Sequence, residues 1–124
     1  MSAKTILYVE DNELNRKLVR QLLKPTTYRL IEAHDGESAL TVSRAERPDL
    51  ILMDMQLPKI SGIEATRRLR AEATTAAIPI IAVTSFALSG DDLKAIEAGA
   101  TAYLAKPYSP YALLGMIRKL LPEA

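Results

Sequence analysis

Short runs of β-branched and aliphatic residues alternate with helical stretches along the whole chain. The β-type runs are TILYV (5–9), YRLIEA (28–33), LILMD (50–54), IPIIAVT (78–84) and TAYLA (101–105). The first helix is predicted over about 12–24, where Leu14, Leu18 and Leu22 recur every fourth residue with Val19 and Leu23 beside them. A second covers about 36–46, ahead of Pro48, and a third, GIEATRRLRAEA, starts at Gly62. The fourth opens on Ser89 with Asp92 three residues on, a capping-box pattern, and closes at Gly99 as its C′ residue. The fifth places Leu113, Ile117, Leu120 and Leu121 on one face and stops before Pro122. Strands that alternate with helices in this way form a parallel sheet with right-handed crossovers and helices on both faces. LILMD and IPIIAVT are almost continuously apolar, as central strands covered on both sides should be. The fold class is therefore α/β, a doubly wound five-stranded parallel sheet with five helices.

Composition narrows the function. The chain has 124 residues, enough for one domain with a substantial core, and 1–124 is read as a single domain. Sixteen basic and fifteen acidic residues leave a net charge of +1, so no global field draws the chain to nucleic acid or an anionic membrane. The absence of cysteine excludes disulfides, thiolate metal sites and thiol nucleophiles. The N-terminal MSAKTILYVEDN is neither a signal peptide nor a membrane span, and the expected location is cytoplasmic.

In an open α/β sheet, ligands bind beyond the C-terminal ends of the strands. There the first strand ends in Glu10-Asp11, the third in Asp54, the fourth in Thr84 and the fifth in Lys106-Pro107. The second delivers His34-Asp35 before Gly36, read as turn chemistry, and His34 is given no role. The first loop, VEDNELN, carries no glycine-rich phosphate motif, and its acids would repel a phosphate. Three clustered carboxylates call for a cation, and hard oxygen ligands suit Mg²⁺. Asp54 is expected to be tolerated at its strand end because a metal and Lys106 balance it and because it stays exposed. A carboxylate can attack phosphorus to form an aspartyl phosphate, provided cations relieve the repulsion between the two anions. Each bland alternative also exists. Glu10 and Asp11 could cap the first helix, Asp54 could be a turn residue before Pro58, Lys106 could be a surface lysine, and Thr84 could merely extend a strand. Chance poorly explains all of them together at strand ends.

The segments VEDNELN, ILMDMQLPKISGIEATRRLR, IPIIAVTSFALSGD and GATAYLAKP together resemble the response-regulator receiver domain of two-component signalling. The likeness extends to single-domain regulators and to receivers fused to hybrid histidine kinases. It implies a flavodoxin-like sheet of order 2-1-3-4-5 and a phosphoryl group taken from phosphohistidine onto Asp54. It also implies Mg²⁺ bound directly by Asp11 and Asp54, through water by Glu10, and by the backbone carbonyl of Gln56. Thr84 and Lys106 would hold the phosphoryl group, Thr84 and Tyr103 would form the switch, and the Lys106–Pro107 bond would be cis. Gln56 and Phe86, two residues past Asp54 and Thr84, would flank the hydrolytic water, with bulky Phe86 slowing it. The implied partners are a sensor histidine kinase or histidine phosphotransfer protein, and a downstream protein at the face of helix 4, strand 5 and helix 5. No nucleic acid or membrane partner is implied, and the chain would be a monomer or weak dimer.

The sequence departs from that pattern in its Glu-Asp acid pair, in Ser61 where an Asp is common, and in Pro25 near the end of the first helix. Rival readings are an Mg²⁺-dependent aspartyl-phosphate phosphatase and a phosphorylation-independent interaction module. Such phosphatases follow the nucleophile with a second Asp two positions on, where this chain has Gln56. The segment reads either as a natural single-domain protein or as part of a hybrid kinase. The apolar residues of the first helix fan over about half its circumference. Leu14 at the edge nearest the site is either partly exposed, docking a partner helix, or core like the others.

Overall fold

The computed structural model describes residues 3–84, 91–106 and 108–123. Its elements run β1 (Thr5–Val9), α1 (Glu13–Leu23), β2 (Arg29–Ala33), α2 (Gly36–Glu46), β3 (Leu50–Asp54), α3 (Gly62–Ala71), β4 (Ile80–Thr84), α4 (Asp91–Ala98), β5 (Ala102–Ala105) and α5 (Pro110–Leu120). All four strand pairings are parallel and the order is β2-β1-β3-β4-β5, the flavodoxin-like arrangement.

Successive side chains of a strand point to opposite faces, and this alternation splits the core in two. Ile6, Tyr8, Leu50, Leu52 and Ile81 pack with Val19, Leu23, Leu113 and Ile117 on the α1/α5 side. Leu7, Val9, Ile51, Met53, Ile80 and Ala82 pack with Ala39, Leu40, Ala65, Leu69 and Ala95 on the α2–α4 side. Every residue of β3 and β4 is buried, as their unbroken apolar sequence requires. Continued past the strand ends, the alternation puts Glu10, Asp54 and Lys106 on the α1/α5 side and Thr84 and Tyr103 on the other.

Local chemistry sets the boundaries. Asn12, not Glu10 or Asp11, caps α1 by accepting the Asn15 N–H. Asp35 caps α2 in a reciprocal capping box with Ser38, so the turn residue of the second strand end is a helix start. β4 begins at Ile80, two residues later than its apolar run suggests, because Pro79 has no N–H for the ladder and contributes only its carbonyl, to Ile51. α3 stops at Ala71, where Thr75 folds back to donate its hydroxyl to the Leu69 carbonyl. Gly99 takes a φ of 116° after α4, and its N–H and that of Ala100 bond to Ile96 and Ala95, the Schellman pattern. The Lys106–Pro107 bond, Phe86 and the side chains of the Ser89–Asp92 capping pattern lie outside the described residues.

Two glycines have opposite meanings. A Cβ on Gly62 would stand 2.1 Å from the Asp54 carbonyl oxygen, because α3 starts hard against the end of β3. Gly115, inside α5, would place a Cβ in open space. Gly62→Ala should therefore cost several kcal/mol and disturb the Asp54 backbone. Gly115→Ala should gain about 1 kcal/mol from helix propensity. Urea unfolding of both variants measures the contrast.

Candidate phosphoryl-acceptor and metal site

β1, β3 and β5 bring Glu10, Asp54 and Lys106 together from positions 52 and 96 residues apart. The Lys106 ammonium donates to Glu10 Oε1 at 3.2 Å and to Asp54 Oδ2 at 3.3 Å. Asp54 Oδ1 accepts the backbone N–H of Gln56 at 3.0 Å. One correction concerns exposure: Asp54 does not stay open to solvent but is only 2% exposed. The Lys106 side chain closes over it, and the Gln56 amide supplies the hydrogen bond that water would otherwise give. Glu10 is as deeply buried, whereas Asp11 is exposed.

Carboxylate oxygens of Glu10, Asp11 and Asp54 lie within 4.8 Å of one another. A set of hard anionic oxygens at this spacing, partly open through Asp11, fits a divalent cation of the Mg²⁺ type. Thr84 is fully buried, and its hydroxyl accepts from Gln56 Nε2 at 3.2 Å. Gln56 thus meets Asp54 with its backbone and Thr84 with its side chain, a double role the sequence did not show. Tyr103 on β5 is 43% exposed and stands apart from the carboxylates. Three further side chains touching Glu10 were not legible either. They are Tyr8, which shares its face of β1, Asn15 on the first turn of α1, and Arg16, which donates to the Glu10 carbonyl at 2.6 Å. Tyr8 is separated from Glu10 by the two-residue repeat of a strand, the one signal that could have found it.

Electrostatics follow from the burial. Burial pushes the Asp54 carboxyl up to about 6, with Glu10 adding to the shift against the Gln56 N–H and Lys106. Burial acts the same way on Glu10, but Asp54, Lys106 and the Asn12 N–H outweigh it and hold Glu10 below its ordinary value. Lys106 is held above its ordinary value: burial pulls it down, and its two carboxylates more than compensate. Without a metal, a proton entering the pair therefore rests on Asp54.

The profile of the response regulator receiver domain matches residues 6–118. The chain belongs to that family. The receiver is 44% identical to the polar-differentiation response regulator DivK of Brucella anthropi, over 98% of each chain. Among solved structures, the receiver domain of a sensor histidine kinase from Pseudomonas aeruginosa superposes with a TM-score of 0.88 at 38% identity, covering 94% of this chain and 96% of that one. That structure has a magnesium ion coordinated in its active-site cleft. The chemotaxis protein CheY4 of Vibrio cholerae gives a TM-score of 0.88 at 28% identity, over 95% of this receiver and 98% of its own chain. No helix among the described residues is long and apolar enough to cross a membrane.

The raised Asp54 value has a measurable consequence. The folded protein holds more proton on this group than the unfolded chain does between its ordinary 3.8 and about 6. The stability it contributes is complete below the lower value and lost as pH rises through the upper one. In metal-free buffer, Asp54→Asn should therefore stabilise the receiver at pH 7.5, by on the order of 1–3 kcal/mol, and hardly at all at pH 4. Thermal unfolding of both proteins across that range checks the trend.

Proposed function

We propose that this receiver accepts a phosphoryl group on Asp54 from the phosphohistidine of a sensor histidine kinase or histidine phosphotransfer protein, and that the transfer switches its protein contacts. The observation that carries the reading is the single ammonium shared by two buried carboxylates, with a third acid beside them. Asp11 and Asp54 would hold Mg²⁺ directly, Glu10 would hold it through water, and the Gln56 carbonyl would complete the protein ligands. When bound, the ion would neutralise oxygens of the incoming phosphoryl group that otherwise repel the acceptor. An Asp54 oxygen forms the new bond to phosphorus. The bond from phosphorus to the imidazole nitrogen breaks, and its electron pair leaves with the imidazole. Lys106, already within reach of Asp54, would stabilise the charge gathering on the phosphoryl oxygens. Thr84 would donate its hydroxyl to the product, giving up its position beside Gln56.

Thr84 and Tyr103 share the α2–α4 side of the sheet, which supports a coupled movement in which Thr84 approaches the phosphoryl group and Tyr103 turns inward. The readout face would be α4, β5 and α5, where Leu93 is 66%, Ile96 44% and Tyr111 86% exposed. Such apolar residues at the surface suit a protein partner and give no electrostatic footprint for nucleic acid. A cytoplasmic monomer or weak dimer is the working state. Gln56 and Phe86 would set the lifetime of the phosphoaspartate, and a small or acidic residue at 86 should shorten it.

The donor would dock beside the site. Leu14 and Leu18 are 64% and 56% exposed, so of the two readings of α1 the partner-facing one is favoured. Leu18 and Leu22 line a groove of about 840 Å³ between α1 and α5, with Tyr108 and Pro110 opposite and Lys106 at its upper end. A donor helix seated there would carry its phosphohistidine to Asp54.

Incubation with acetyl phosphate and Mg²⁺ followed by intact mass should add one phosphoryl group to wild type and none to Asp54→Asn. Lys106→Ala should slow labelling roughly 100-fold. An unlabelled wild type would leave the interaction-module reading standing, and rapid turnover of phosphate esters would favour the phosphatase. Leu14→Ala with Leu18→Ala should slow transfer from a purified histidine kinase several-fold while acetyl phosphate labelling is unchanged. Equal kinase rates would remove the groove from the account.

A further inference from the structure

Glu10 stands one residue past β1 and both of its carboxylate oxygens are occupied. Oε1 accepts from the Tyr8 hydroxyl at 3.3 Å, from Asn15 Nδ2 at 3.2 Å and from Lys106 Nζ at 3.2 Å. Oε2 accepts the Asn12 N–H at 3.3 Å. Two of these donors are side chains other than Lys106, those of Tyr8 and Asn15. Tyr8 reaches up from the core beneath the site, where it is 1% exposed among Val19, Leu113 and Ile117. Asn15 reaches across from α1.

A phenol so deeply buried needs a reason for its oxygen. Phenylalanine would fill the same space without a polar group to satisfy. At the site end of the core the Tyr8 hydroxyl meets Glu10 and the Tyr108 hydroxyl. Glutamate also has a use for such a donor. It carries one more rotatable bond than aspartate, and a free glutamate at a strand end would populate rotamers that turn its carboxylate away from Asp11 and Asp54.

We propose that Tyr8 and Asn15 are positioning residues for a divalent cation. They clamp Glu10 in the one rotamer that presents its carboxylate to the other two acids, and thereby set metal affinity. The assignment rests on the Mg²⁺ reading above and extends it to residues behind the carboxylates. Outer partners of this kind, bonded here to the carboxylate that orients a metal-bound water, commonly govern affinity by about tenfold or more.

Calorimetric titration with MgCl₂, paired with thermal unfolding in chelator, tests it. Tyr8→Phe should weaken the Mg²⁺ Kd roughly 10-fold and Asn15→Ala several-fold, while metal-free unfolding temperatures stay near wild type. In a Glu10→Asp background the shorter side chain no longer reaches the Tyr8 hydroxyl, so Tyr8→Phe should leave the Kd unchanged. An unaltered Kd in the Glu10 background overturns the proposal, as does an equal loss in the Asp background. Should Tyr8→Phe fail to fold, Asn15→Ala on the half-buried helix face decides alone, and an unaltered Kd there also overturns it. A wild type that binds no Mg²⁺ removes the metal reading and this proposal together, whereas wild-type binding with unaltered variants removes only this proposal.

Discussion

One ammonium group holds the site together. Lys106 reaches from the end of β5 to carboxylates at the ends of β1 and β3, and those carboxylates are nearly devoid of solvent. Two acids buried side by side repel, and desolvation raises the cost of charging either. Lys106 and the backbone N–H groups of Asn12 and Gln56 offset part of that cost, not all of it, as the upward shift of Asp54 shows. The sheet must keep its register for this to work. Because the core on both faces fixes the strands, it also fixes the distance between charges that are far apart in sequence.

The imbalance that remains is what makes the site usable in the proposed chemistry. A fully neutralised carboxylate would have no need of a further cation, and an unpaired one would unfold the strand end or stay protonated. Asp54 lies between these limits. A cation and a phosphoryl group would each change the charge around it, and Gln56 and Lys106 are already bonded to it. Gln56 bonds to Asp54 and to Thr84, so a change at one side chain has a direct route to the other. Thr84 stands beside Ala105 of β5, and Tyr103 lies two residues earlier on that strand. In the proposed chemistry, a local electrostatic event would in this way bias a surface formed by three elements.

Other polar residues stiffen the frame around the acids. Arg70 at the end of α3 donates to the carbonyls of Ala76, Ile78 and Gly99 and to the Thr101 hydroxyl, tying α3, the approach to β4 and the end of α4 into one block. Arg16 and Arg20 pair with Glu13 and Glu32 and lock α1 against β2. Tyr28 spans from the start of β2 to the Leu121 carbonyl, which closes the α1/α5 side at its lower end.

Much of this was legible in the order of residues. The alternation of β-type and helical runs determined an α/β sheet with covered central strands, because periodicity and burial are local properties of a segment. Acids after β1 and β3, Thr84 after β4 and Lys106 after β5 were legible as one rim, because parallel strands present all their C-terminal ends on the same edge. Helix starts were less so: Asn12 rather than its acidic neighbours caps α1, since a cap is chosen by backbone geometry as much as by residue type. The burial of Asp54, the exposure of Leu18 and the Gln56–Thr84 bond belong to the tertiary structure alone. Each depends on what a distant segment places over or beside the residue, and solvent exposure and hydrogen-bond partners are properties of packing that no single stretch of chain carries.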